Sequence, residues 1–232
     1  MHKFKWLLKY PRVYAHLASK RKHVNYEKLL YLNSIKKGNV VFDIGANIGN
    51  FTKLFSILCG KTGEVHCFEP IPETYDALLK GVSDLKNVLP KNIAAGHTNS
   101  RLAMSYDPSD SEKASLSQTN STEKYEVEVI RLDDYISEIN LKRLDFVKCD
   151  VEGYELESLE GMKYNLEAFH PQICLEITVS YQKRIEIVNL LKSLGYNCFR
   201  KVESGYPVYE PEEDKLVTSD YFYLHASSSF NS

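Results

Sequence analysis

The sequence predicts an α/β fold, a mainly parallel sheet covered by helices on both faces. Three observations carry this. From residue 26 onward, short apolar runs alternate with stretches of helical periodicity. The stretch VVFDIGANIGNFT (40–52) reads as a buried strand that stops, turns at Gly45 and enters a helix after Gly49. Acids close the first two strands, Asp43 and Glu69, at the strand ends where such sheets bind ligands.

The elements follow in order. NVVFDIG (39–45) is the first strand, and NFTKLFSILCG (50–60) a helix stopped by Gly60. EVHCFEP (64–70) is a second strand ended by Pro70, and PETYDALLKGV (72–82) a helix with Pro72 in its first turn. NVLPKNIAAG (87–96) reads as one third strand, weakened at Pro90. RLAMSYD (101–107) and YEVEVIRL (125–132) alternate like antiparallel strands. The polar, serine-rich 108–124 between them reads as one long loop, of a length that is usually functional or disordered. LDFVKCD (144–150) resumes the buried-strand pattern and YELESLEGMKYNLEAFH (154–170) reads as one helix. QICLEIT (172–178) is a strand, YQKRIEIVNLLKSLG (181–195) a helix, and YNCFRKV (196–202) and DYFYLHA (220–226) are closing strands.

Length and composition suit one such domain. The chain has 232 residues, 43% hydrophobic and 26% charged, as in an ordinary globular protein. The expected organisation is a basic helical extension over 1–36, one α/β domain over 37–226 and a tail over 227–232. A formal net charge of −2 gives no global pull toward nucleic acid. The five cysteines form no CxxC pair and read as buried reduced thiols, which favours the cytoplasm. The seven histidines show no zinc spacing, so no metal site is expected from them. The arm MHKFKWLLKYPRVYAHLASKRKHV is basic, and its apolar run is too short for a membrane span. It reads as a helical arm packed on the domain, with peripheral contact to a membrane surface or an anionic partner as the sharper alternative.

The glycine turn departs from a dinucleotide fingerprint. Gly45 fits the first glycine of G-x-G-x-x-G, but Asn47 and Asn50 take the other two places. A carboxylate at Asp43 disfavours a diphosphate and favours a cationic ligand. S-adenosylmethionine, with an ammonium and a sulfonium, suits it. Glu69 can accept the two hydroxyls of a ribose. A second group of acids lies in KCDVEGYELESLEG (148–161). Asp150 ends a strand expected beside the first, followed by Glu152, Gly153 and Glu155. Helix capping is the alternative use of these acids. Lys148 shares the strand face of Asp150, and Glu176 ends the next strand.

FDIGANIGNFT, FEP, LDDYI, KCDVEGYELESLEG and ICLEI, in this order and spacing, resemble the FkbM family of S-adenosylmethionine-dependent methyltransferases. The resemblance runs from roughly Asn39 to Tyr196, with Asp-Val-Glu-Gly-x-Glu as its most distinctive part. It implies a Rossmann-like methyltransferase fold with a seven-stranded sheet whose last strand is antiparallel. It also implies methylation of hydroxyls on sugars or secondary metabolites. By the resemblance, Asp43, Gly45, Asn47, Gly49 and Glu69 bind the donor, and Asn92 and Ile93 lie near the adenine. The segment 97–124 and the arm match weakly and are expected to choose the substrate.

The function expected is therefore O-methylation of a small-molecule or glycan acceptor. Asp150 is the first candidate for the base and Glu152 the second. Lys148, Glu155 and Glu176 are expected on the acceptor side. A divalent cation held by Asp150 and Glu152 is the less favoured route to an activated hydroxyl. Methylation of nitrogen, protein or nucleic acid is the alternative activity, and a non-catalytic binding module the alternative class. The absence of a basic face interleaved with aromatics argues against nucleic acid.

Overall fold

In the computed structural model, the described residues are 25–106, 123–177, 180–203, 206–208 and 219–227. The basic arm, most of the serine-rich 108–124 and the last residues lie outside them.

The main sheet has seven strands. They are β1 (Val40–Ile44), β2 (Glu64–Phe68), β3 (Val88–Lys91), β7 (Phe146–Cys149), β8 (Gln172–Ile177), β9 (Tyr196–Lys201) and β10 (Ser219–His225), in the order β3-β2-β1-β7-β8-β10-β9. The first five pair in parallel, and β10, last in the chain, runs antiparallel to both its neighbours. The order reverses at β1, so the crevice beyond β1 and β7 is where a ligand belongs.

Strand side chains alternate between the two faces. Phe42, Ile44, Val147 and Cys149 pack with helices α4 (Leu132–Glu138), α5 (Glu155–Glu160), α6 (Lys163–Phe169) and α7 (Tyr181–Ser193). Val41, Val65, Cys67 and Phe146 pack with α1 (Tyr26–Ser34), α2 (Asn50–Cys59) and α3 (Pro72–Val82). Helix α1 is thus part of the core. Asn25 caps it through the Lys28 amide at 2.7 Å. Its fully buried Tyr31 sits edge-on to Phe55 at 4.8 Å and Phe146 at 5.7 Å.

A second sheet holds β4 (Ala94–Ala95), β5 (Ser100–Tyr106) and β6 (Glu123–Ile130), ordered β4-β6-β5. Strands β5 and β6 pair antiparallel, from Ser100 opposite Val129 to Tyr106 opposite Glu123.

Three expected elements differ. The run 87–96 splits into β3 and β4, which belong to different sheets. Pro90 is tolerated because β3 is an edge strand. The strand expected over 125–132 ends at Ile130, and Leu132–Glu138 is helical instead. Its Asp133 accepts from the Tyr164 and Asn165 amides, at 3.2 and 3.1 Å, and so caps α6. The helix expected over 154–170 breaks in two. A Cβ on Gly161 would lie 1.9 Å from the Gly96 carbonyl oxygen, so another chain segment crosses there at backbone distance.

Candidate active site

A cleft of about 340 Å³ opens at the carboxyl ends of β1, β2 and β7. The β1–α2 turn makes one wall. Gly45, Asn47 and Gly49 all have left-handed backbones, with φ of 78°, 49° and 81°. Gly45 donates its amide to the Phe68 carbonyl at 3.0 Å. A Cβ there would stand 1.8 Å from the Asp150 carbonyl oxygen, so this glycine lets the first turn and the end of β7 close together. A Cβ on Gly49 would meet Leu78 Cδ1 at 2.6 Å, so that glycine seats α2 on α3.

Asp43 is 1% exposed and lines the cleft. Its Oδ2 accepts from Thr52 Oγ1 at 2.5 Å, while its buried Oδ1 has no hydrogen-bond partner. Burial raises its carboxyl, and Lys148 and Thr52 pull it back down. Glu69 is 5% exposed. Its two oxygens accept from the Asn47 amide at 2.9 Å and the Ile71 amide at 3.0 Å. Burial pushes its carboxyl up to about 7, against those two amides and with help from Asp43 and Asp150.

Lys148 stands opposite Asp43 in the β1–β7 register and is 4% exposed. Its Nζ lies 2.8 Å from Asp150 Oδ2 and 5.2 Å from the centre of the Phe51 ring. Beyond Asp150 the chain turns sharply, with φ of 47° at Glu152 and 97° at Gly153. A left-handed backbone at a residue other than glycine costs on the order of 1–3 kcal/mol and persists where surrounding contacts impose it. Here Glu155 Oε1 accepts from the Gly153 amide at 2.8 Å. Lys183 Nζ donates to the Gly153 carbonyl at 2.8 Å and to Glu157 Oε1 at 2.9 Å.

Of the residues singled out from sequence, Asp43, Gly45, Asn47, Glu69, Ile93, Lys148, Asp150, Glu152 and Glu176 come together on the cleft wall. Gly49, Asn92 and Glu155 stand behind it. Asn92 braces the second strand's exit, donating to the carbonyls of Glu69 at 2.8 Å and Pro70 at 3.0 Å. Sequence reasoning missed Phe51, Met104 and Tyr154, which also line the cleft. Apolar residues there read as core, and only Tyr154, directly after the Glu152–Gly153 turn, carried a positional hint. No group of three or more His, Cys, Asp or Glu disposed to hold a metal ion occurs among the described residues.

The methyltransferase FkbM domain matches residues 43–198, from the end of β1 into β9. The chain belongs to the FkbM methyltransferase family. This FkbM-family chain is 28% identical over 140 residues to the hexuronic acid methyltransferase AglP of Haloferax volcanii, covering 60% of this chain and 56% of the relative. It is 27% identical over 199 residues to the 31-O-demethyl-FK506 methyltransferase FkbM of Streptomyces tacrolimicus, covering 70% and 74%. The chain thus spans little more than half the length of the Haloferax relative. Its fold matches the crystal structure of methyltransferase FkbM from Methylobacillus flagellatus, with a TM-score of 0.54 and 16% identity, over 95% of this chain and 60% of that one. The Rossmann-like methyltransferase fold is the one the seven strands and their order describe.

Proposed function

We propose that this chain is an S-adenosylmethionine-dependent O-methyltransferase acting on a hydroxyl of a sugar, glycan or glycosylated metabolite. The observation that carries the reading is the unbonded, buried Oδ1 of Asp43 on the wall of the same cleft as the Lys148–Asp150 pair. A buried carboxylate oxygen without a donor is costly, and the ammonium of a bound donor satisfies it. Glu69 accepts the ribose hydroxyls, and Ile93 lies against the adenine. The FkbM family and the sugar and 31-O acceptors in the relatives' names support the same class.

The bound donor supplies an activated methyl group. The chain supplies position and a proton acceptor. Lys148 takes Oδ2 of Asp150 and fixes that carboxylate, which leaves Oδ1 to receive the acceptor's proton. Glu152, held out by its left-handed turn, orients the acceptor in line. The reaction needs no metal in this reading. All five cysteines are free thiols and no helix among the described residues is long and apolar enough to cross a membrane. A cytoplasmic site of action accords with both.

The test is calorimetry with S-adenosylmethionine, followed by transfer of labelled methyl to a panel of glycans. Tight binding of NADH with no response to S-adenosylmethionine would overturn the reading.

A further inference from the structure

Side chains grip Gly153 at both of its peptide planes. Its amide donates to Glu155 Oε1 at 2.8 Å, and its carbonyl accepts from Lys183 Nζ at 2.8 Å. Glycine has the widest backbone freedom of any residue, so holding one in a single conformation takes contacts of this kind. With both planes fixed, Gly153 stays at a φ of 97° and Glu152 at its left-handed φ of 47°. The residues on either side of the gripped glycine, Glu152 and Tyr154, both line the cleft. Asp150, just upstream, is held separately. Its amide donates to the Ile44 carbonyl at 3.0 Å, and Lys148 Nζ takes its Oδ2 at 2.8 Å.

Lys183 sits where a helix least favours it. It is the third residue of α7, whose N-cap Ser180 accepts from the Lys183 amide at 3.4 Å and whose first turn holds no acid. A cation there opposes the helix dipole, and local rules are broken in this way chiefly at functional sites. The ammonium reaches across to the exit of the neighbouring strand. Besides the Gly153 carbonyl, it pairs with Glu157 Oε1 at 2.9 Å and lies 6.0 Å from the centre of the Tyr154 ring. Gly96 also backs that ring, since a Cβ on it would come within 3.2 Å of Tyr154 Cε1. Helix α7 follows β8, so Lys183 ties together the exits of β7 and β8.

We infer that Lys183 is a positioning residue for the acceptor, and that its hold on the Gly153 carbonyl keeps Glu152 and Tyr154 in place to bind it. The inference rests on the function proposed above and deepens it. Glu152 accepts from an acceptor hydroxyl. The Tyr154 ring offers a flat apolar face that ends in a hydroxyl. A sugar, apolar on its C–H face and polar at its rim, suits that combination. Lys183 does not itself line the cleft, so it acts through the turn it holds. Its loss frees Gly153 and lets both neighbouring side chains shift. Asp150 stays on its strand exit under Lys148. Asp43 and Glu69 keep their own partners on the donor side.

The experiment uses the full chain, methyl-labelled S-adenosylmethionine and the panel of glycans. Calorimetry reads donor affinity, and KM and kcat are read on the glycan that the wild type labels best. In Lys183→Met, acceptor KM is expected to rise about tenfold, kcat to fall by less, and donor affinity to stay within about twofold. Lys183→Arg, which can still donate to the Gly153 carbonyl, is expected to recover most of the loss in KM. An unchanged KM, a donor affinity that weakens in step with it, or no recovery in Lys183→Arg overturns the inference and leaves the methyltransferase reading intact. The Lys183 side chain is 26% exposed, so both variants are expected to fold. A Lys183→Met chain with no folded baseline in urea overturns the inference, because this lysine would then be structural. A wild type that binds the donor and labels no glycan overturns both readings.

Discussion

Lys148 Nζ lies 2.8 Å from Asp150 Oδ2, and Lys148 stands in register opposite Asp43 on the neighbouring strand. One ammonium therefore acts on both Asp43 and Asp150, the acids proposed to face the donor and the acceptor. Burial alone would push that ammonium down. Asp150 and Asp43 overcome this and keep it well above the ordinary lysine value.

Removing the cation should cost stability. Lys148→Met leaves Asp43 and Asp150 uncompensated in a site where Lys148 is 4% exposed. Breaking a buried pair from one side costs about 3 kcal/mol. Urea denaturation should show a loss of that size, and a change near zero would mean that the pair is dispensable to folding.

Asp150→Asn keeps the size of the side chain and removes the proposed base. Turnover on the true acceptor should fall ~10²–10⁴-fold, with donor affinity little changed. Near-full turnover would move the role to Glu152 or Glu176. Loss of activity on chelation, restored by Mg²⁺, would instead make Asp150 a metal ligand.

Donor binding should depend on Glu69 and on pH. Its carboxyl, pushed up to about 7 by burial, must ionise to accept two ribose hydroxyls. Donor affinity should therefore weaken as pH falls through about 7. Glu69→Ala should weaken it roughly tenfold or more, at ~1.5 kcal/mol per charge-assisted bond. Calorimetry at several pH values checks both, and a flat wild-type profile would count against the ribose role.

The ligand-free protein should lose stability as pH rises. Glu69 and Glu27 rise to about 7 and Glu176 to about 8, from an ordinary 4.5, chiefly by burial. The native state then holds more protons than the unfolded chain from about pH 4.5 to 8, so stability falls as pH rises through that window. Glu176→Gln should gain on the wild type between pH 5 and 8 in denaturation curves. A constant difference across that range would refute the buried-acid account.

Gly45→Ala should be severe. The added Cβ would lie 1.8 Å from a backbone oxygen at a φ of 78°. Both effects are rigid, and a loss of about 3 kcal/mol or more is expected. Circular dichroism should show a lowered melting temperature or no folded state, and a wild-type melt would mean that the turn can relax.

Much of this was legible in the order of residues. The period of two or 3.6 that marks a strand or helix is local, as are the glycine turn after Asp43 and the acids at Glu69 and Asp150. The errors came where a local pattern met a distant partner. Gly161 breaks its helix because Gly96 crosses it. Pro90 is accepted because its strand is an edge. Leu132–Glu138 is helical, and its Asp133 caps the start of α6, a partner some 30 residues away.

By itself the sequence determined the α/β class, the glycine turn after Asp43 and the acids at the strand ends, because each is written within a few consecutive residues. Only the tertiary structure decided which acids stand together. Glu176 and Asp220 come from β8 and β10, Asp150 directly follows β7 and Glu27 lies on α1, and strand register sets the first three on one face. Register is fixed by packing both faces of the sheet at once, a condition no single segment can state.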